Sequence, residues 1–299
     1  MNDIEANSLN KIYHIGVSGG KDSTALLLWM VYESGIPHTQ LVASFCDTQN
    51  EAQCTYEHIW RLNRDVFPIV WLQTEGFFPL AFRKGRFPAS KNRFCTQGLK
   101  LIPTKIFLER LSDYCDEVIS CSGLRRDESE ARKDKLEWGD PMESYFGLRD
   151  WRPLINWKIS DVLAIHRKYN IPLNDLYSKG AKRVGCFPCI NSSKPEIRAM
   201  AKYFPERIEQ IREWEYQFEN KNGVSTFFPR NKIPERFRTK IIITKKGIKM
   251  KVCTIDDVVQ WANSGWRGKG FAPDIDGLFD DQLEKLDPQI CLAQHLACE

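Results

Sequence analysis

Residues Ser18-Gly19-Gly20-Lys21-Asp22-Ser23 decide how this chain reads. Before them, Lys11 to Val17 is short and partly β-branched, which predicts a strand. After them, Thr24 to Tyr32 is apolar and helix-prone. Two glycines let a backbone approach an anion closely and turn its N–H groups toward it. The helix that follows adds the positive end of its dipole. Lys21 supplies a point charge, and Ser18 and Ser23 supply hydroxyls for phosphate oxygens. Asp22 falls in the first helical turn, where it can cap the helix or help hold Mg2+. Strand, loop and helix stand in the order that phosphate binding needs.

The pattern continues outward. Gly35-Ile36-Pro37 stops the helix, and Gln40 to Phe45 reads as a second, buried strand with Asp47-Thr48 at its end. A helix is expected over Glu51 to Asn63, and strands over Pro68 to Leu72 and Cys115 to Cys121. This alternation predicts an α/β fold with a parallel, Rossmann-like sheet that binds ligands beyond the carboxyl ends of its strands. Asp47 and Thr48 are then placed to read an adenine or ribose edge. The polar run after Cys121 holds Gly123, Arg125, Arg126 and Arg132. Its guanidinium forks suit a phosphate or sulfate, and Gly123 allows close backbone approach.

Beyond residue 178 the composition shifts toward Gly, Lys, Arg, Cys and Ser. The expected division is a nucleotide-binding domain over residues 1–178 and a smaller, cysteine-containing α+β region over 179–299. There, Pro195 to Asn220 predicts a helix, Lys240 to Lys251 a hairpin turning at Lys246-Gly247, and Ile255 to Ala262 a short helix. With 42% hydrophobic and 27% charged residues in 299, the chain can bury a core and is not intrinsically disordered. No apolar run reaches about 18 residues, so no membrane-spanning helix is expected. Ala25 to Val31 lacks the flanks of a signal peptide, and a cytoplasmic location follows as the expectation. A net charge of +4 is too mild to declare a nucleic-acid partner. Local basic runs at Lys179–Arg183, Arg230–Lys240 and Lys245–Lys251 are candidates, with Phe227, Phe228 and Phe237 nearby for stacking. Ten cysteines in such a compartment point to metal ligation or redox chemistry before disulfides. Cys186 and Cys189 form a CxxC, whose spacing suits one metal or one redox pair.

The loop resembles the SGGxDS loop of the PP-loop ATP pyrophosphatase superfamily, also described as adenine nucleotide alpha-hydrolase-like. Four more segments resemble the phosphoadenosine phosphosulfate reductase family within it. They are Phe94-Cys95-Thr96-Gln97-Gly98-Leu99-Lys100 with Pro103, Ser122-Gly123-Leu124-Arg125-Arg126-Asp127-Glu128-Ser129 with Arg132, Trp151-Arg152-Pro153-Leu154-Ile155-Asn156-Trp157, and Ile171-Pro172-Leu173-Asn174-Asp175-Leu176-Tyr177 leading into Gly185-Cys186-Phe187-Pro188-Cys189. The resemblance implies bound ATP with Mg2+, cleaved to AMP and pyrophosphate as an acceptor is adenylated. Lys21, Asp22, Arg125 and Arg126 would be the catalytic residues. Sulfur insertion into a nucleic acid, fed by a sulfur-donor protein, is the expected product chemistry, as in DNA phosphorothioation and tRNA thiolation enzymes. A sulfonucleotide reductase forming sulfite is the alternative, although such enzymes commonly carry a degenerate loop. A nucleotide-binding sensor or defence-complex subunit without turnover is a third reading. Cys95 falls where the iron–sulfur members carry two adjacent cysteines, and here Phe94 replaces one. Cys95, Cys186 and Cys189, completed by Cys291, Cys298 or His295, would hold a [4Fe–4S] cluster; Zn2+ and free thiols are the alternatives.

Overall fold

The computed structural model describes residues 10–243 and 247–265. Two compact units emerge: one runs through Leu176 and takes in Arg183–Ile190, and the other holds Tyr177–Lys182 and the chain from Asn191 onward. The CxxC segment therefore belongs to the first unit, eight residues past the expected boundary at 178 in sequence but folded with the nucleotide-binding part.

The first unit is built on strands β1 (Lys11–Gly16), β2 (Leu41–Asp47), β3 (Ile69–Gln73), β4 (Glu117–Cys121), β5 (Trp138–Gly139) and β6 (Arg149–Trp151), in the sheet order β3-β2-β1-β4-β6-β5. All pairs are parallel except β5 with β6. Ile15 stands opposite Ala43 on one side and Cys121 on the other, so β1 and β4 finish within one residue of each other, while β2 runs three residues past Ser44, the partner of Gly16. Such a sheet needs helices on its faces, because each crossover returns over it. Helices α1 (Lys21–Tyr32), α2 (Gln53–Asp65), α3 (Phe77–Arg83), α4 (Ile102–Ser112) and α5 (Ile159–Lys168) supply them. α1 is the most deeply buried: Leu26, Leu27, Leu28 and Met30 are fully enclosed. Each such side chain contributes about 1.5–3 kcal/mol. That burial on all sides explains the unbroken apolar run in the sequence.

The second unit contains α6 (Lys194–Tyr203), α7 (Pro205–Asn222), the antiparallel hairpin β7 (Lys240–Ile243) and β8 (Lys249–Val252), and α8 (Ile255–Asn263). The single helix expected over 195–220 is two, because Phe204 precedes Pro205 and takes the non-helical φ −141°, ψ 57°. Phe218, Phe227 and Phe228 are enclosed in its core. Phe227 and Phe228 therefore cannot serve the stacking role that the sequence suggested. Among the described residues no helix is long and apolar enough to cross a membrane.

Candidate nucleotide site

The loop after β1 sits at the carboxyl end of the central sheet. Gly19 takes φ +72°, a conformation that favours glycine. The Ser23 hydroxyl donates to the Gly20 carbonyl at 3.0 Å and accepts from the Ser18 amide at 3.2 Å; the Ser18 and Ser23 hydroxyls are 3.0 Å apart. The loop is thus closed on itself before any ligand arrives. No side chain caps the amino end of α1 at Gly20, which leaves that end of the dipole open to an anion. Asn174, buried, donates to the Gly19 carbonyl at 3.3 Å and to Thr55 at 3.2 Å. His166 lies 2.9 Å from the Lys21 carbonyl and 3.0 Å from that of Ile171. Both residues brace the loop from behind, and sequence reasoning gave neither that role. Asn174 lies in a quoted motif, so its position carried a signal.

Lys21 Nζ meets Asp22 Oδ2 at 2.9 Å, and Arg125 Nε meets Asp22 Oδ1 at 2.7 Å. Arg125 is buried and also reaches Asp127 and the Trp157 carbonyl, each at 3.4 Å. Its guanidinium acts on the loop through Asp22. Each carboxylate oxygen of Asp22 thus has one cationic partner. Gly123 carries the end of β4 against α1: a Cβ there would stand 2.6 Å from the Asp22 carbonyl oxygen. Arg126 donates to the Lys135 carbonyl and to Asn156, and lines a separate open cleft of about 500 Å³ with Lys133 and Lys158. Arg132 pairs with Glu128.

A cavity of about 270 Å³ opens beside the loop, between the ends of β1, β2 and β4. Its walls include His14, Ser18, Ser44, Cys46, Ser122 and Gly123. His14 Nε2 is 2.8 Å from the Ser44 hydroxyl, while its buried Nδ1 has no partner among the described residues. Burial lowers the His14 pKa to about 4, so the ring is neutral near pH 7. Asp47 accepts from the Gln49 amide and the Tyr56 hydroxyl, each at 2.8 Å. Thr48 is fully buried and donates to Glu51 at 2.8 Å, so its hydroxyl is already used within the protein.

The cavity wall that holds Cys46 also includes Glu51, Lys100 and Gly185, the residue before Cys186. The Thr48 hydroxyl is 3.5 Å from Cys186 Sγ. The Phe187 amide donates to the Asn50 carbonyl at 2.6 Å, and Asn50 Nδ2 donates to the Pro188 carbonyl at 2.9 Å. These bonds fix Gly185–Cys189 against the start of α2. Burial pushes the Cys186, Cys46 and Cys95 thiols up, and the Lys100 ammonium opposes it in each. Lys100 in turn is held above the ordinary lysine range, first by Cys186 and then by Glu51, Cys46 and Cys189. Burial also raises Glu51. The donor set is right in kind for a cluster or zinc. Yet among the described residues no three Cys, His, Asp or Glu side chains stand close enough to hold one metal ion. Cys95, Cys186 and Cys189 do not make a closed site by themselves. Cys291, Cys298 and His295 lie outside the described residues.

A parallel sheet with an SGGKDS loop between its first strand and helix defines a PP-loop nucleotide-binding fold. Residues 13–192 match the phosphoadenosine phosphosulfate reductase domain, and the chain belongs to that family. It is 32% identical to a 37.8 kDa protein from the gpa 5′ region of Escherichia phage 186, over 76% of this chain and 82% of that one. An adenosine 5′-phosphosulfate reductase of Neisseria meningitidis serogroup B is 34% identical, over 43% of this chain and 54% of the enzyme. The chain thus spans about half of that relative. A crystal structure of phosphoadenylyl-sulfate reductase from Candida auris aligns with TM-score 0.47 and 18% identity, covering 59% of this chain and 82% of that one.

Proposed function

We propose that this chain binds ATP at the Ser18–Ser23 loop and cleaves it to AMP and pyrophosphate. An acceptor oxygen attacks the α-phosphorus, pyrophosphate leaves, and the acceptor is held as an adenylate. A hydrosulfide delivered by a sulfur donor then attacks the acceptor, which we take to be a nucleic acid, and AMP leaves carrying the activated oxygen. The intact loop carries this reading: closed on its own serines, uncapped at the helix end, with Lys21 oriented by Asp22. A pyrophosphate leaving group develops charge that such a cradle stabilises. Arg125 is a positioning residue, since it reaches the loop only through Asp22. Cys46 on the wall of the same cavity, and Cys186 next to its lining residue Gly185, support sulfur handling. A [4Fe–4S] cluster or Zn2+ on Cys95, Cys186, Cys189 and a tail thiol remains part of the proposal, and no step is assigned to it.

Family membership favours a second reading, reduction of a sulfonucleotide to sulfite. Calorimetry on anaerobically purified chain separates the two. Mg-ATP should bind more tightly than adenosine phosphosulfate or its 3′-phosphorylated form, and Lys21→Ala should abolish detectable ATP binding. Preference for a sulfonucleotide makes the chain a reductase; unchanged ATP affinity in the variant sinks the loop assignment.

A further inference from the structure

We propose that the β7–β8 hairpin is a docking ribbon for duplex DNA. Residues 226–252 carry nine lysines and arginines against one acidic residue, Glu235. That stretch is more positive than the whole chain at +4, so the remainder is net acidic. The positive charge is therefore concentrated in one stretch of the second unit, which ends in the hairpin.

The hairpin arranges it with alternation. Ile241 stands opposite Lys251, and Ile243 opposite Lys249. These four form one exposed face, with Ile241 at 61% and Ile243 at 68% exposure. The opposite face carries Ile242, Met250 and Val252 and is more covered. Among the described residues neither Lys249 nor Lys251 has an ion-pair partner, whereas Lys240 on the other face pairs with Glu219. Two cations and two exposed β-branched side chains thus share one face of the ribbon, joining charge to apolar surface.

Geometry selects the occupant. The major groove of B-DNA admits a two-stranded β-ribbon and offers thymine methyl groups to apolar side chains. The A-form RNA major groove is too deep and narrow for such an entry. Single strands are gripped by aromatic platforms, and here Phe227 and Phe228 are enclosed while Arg236 lies over the Phe237 ring at 5.1 Å. Lys249 and Lys251 fit phosphates, and Ile241 and Ile243 fit the groove floor. The ribbon stands on the second unit alone; that duplex DNA is also the sulfur acceptor rests on the proposed ATP-dependent reaction.

The test is fluorescence anisotropy on the full chain with a labelled mixed-sequence duplex, one of its single strands, and a folded RNA hairpin, across a salt series. Duplex should bind tightest. Lys249→Gln with Lys251→Gln should weaken it about tenfold and reduce the salt slope by about two. Ile241→Ser with Ile243→Ser should reduce the duplex preference while keeping the wild-type slope. Thermal melting confirms that each variant is folded. Equal binding by wild type and the lysine variant overturns the proposal, as does preference for RNA or for single strands. Calorimetric Mg-ATP binding, measured on the same wild-type preparation without DNA, keeps the two ideas apart. ATP binding without duplex binding removes the ribbon; duplex binding without ATP binding removes the reaction.

Discussion

At residue 123 a methyl group has nowhere to go. Its carbon would lie 2.6 Å from the Asp22 carbonyl oxygen and 3.0 Å from the carbon behind it, both backbone atoms that cannot rotate aside. Gly123→Ala must therefore push the end of β4 away from the first turn of α1. We expect a loss of about 1–3 kcal/mol, the usual cost of overpacking, read as a lower Tm, together with weaker nucleotide binding. Gly16→Ala is the control, since a Cβ there meets nothing within 4 Å. Equal melting of the two variants would refute the contact. Gly123 was legible as a site of close approach, but the partner is the protein's own loop. The loop itself was legible because phosphate needs N–H donors, a cation and hydroxyls within a few consecutive residues. Asp22 and Arg125 were each legible as functional and their pairing was not, because 103 residues separate them. The same distance problem hid Asn174 behind Gly19, 155 residues away.

Elements with a full period were readable; short ones were not. β1, β2, β3 and β4 fall within two residues of their expected starts, and α1 begins one turn early at Lys21 because the loop residues join it. β5 and β6 span two and three residues, too few for any alternation to show, and Trp138 and Trp151 stack within the first unit at 5.2 Å instead. The segment Arg183–Ile190 looked like the start of a second region because its composition changes there. Its backbone bonds to Asn50 return it to the first unit, and no local signal encodes that. This placement bears on the thiols. Three expected ligands lie in the first unit, yet no three side chains of the described residues can share one ion. We propose that a bound metal draws its further ligands from Cys291, Cys298 or His295. Iron, sulfide and zinc analysis of anaerobically purified chain should show metal lost both in Cys186→Ser and in the double variant Cys291→Ser with Cys298→Ser, with ATP binding kept in the latter. Stoichiometric metal in the tail variant would place the missing ligand elsewhere.

The whole molecule joins two units whose buried titratable groups pull in opposite directions. In the first, burial lowers His14 and His58 to about 4 and lowers His166 as well. The unfolded chain takes up these protons below the ordinary histidine value of 6.5, while folded His14 and His58 refuse theirs until about pH 4 and folded His166 takes up its own below the ordinary value. Stability present above pH 6.5 is therefore lost as pH falls through that window. Glu51, raised by burial, works the other way, but it is one group against three. In the second unit Glu215 dominates. It accepts from the Phe227 amide at 2.8 Å and the Ile255 amide at 2.9 Å, tying α7 to the start of α8, and burial raises its pKa to about 7. Between the ordinary 4.5 and about 7 the folded unit holds a proton that the unfolded chain has released. Its stability therefore falls as pH rises across that range, by a total on the order of 3 kcal/mol. Cys121 and Cys253 report on the two units, since both are buried, at 3% and 0% exposure. Urea series at pH 4.5, 5.5 and 6.5, pulsed with a pyridyl disulfide that reacts with thiols in acid and read by mass spectrometry, follow each separately. The urea midpoint for Cys121 labelling should fall as pH falls, and that for Cys253 should rise. Glu215→Gln should flatten the Cys253 trend and leave the Cys121 trend intact. Midpoints that move together in the wild type would mean the units unfold as one, and the opposition between their buried groups would have no thermodynamic expression.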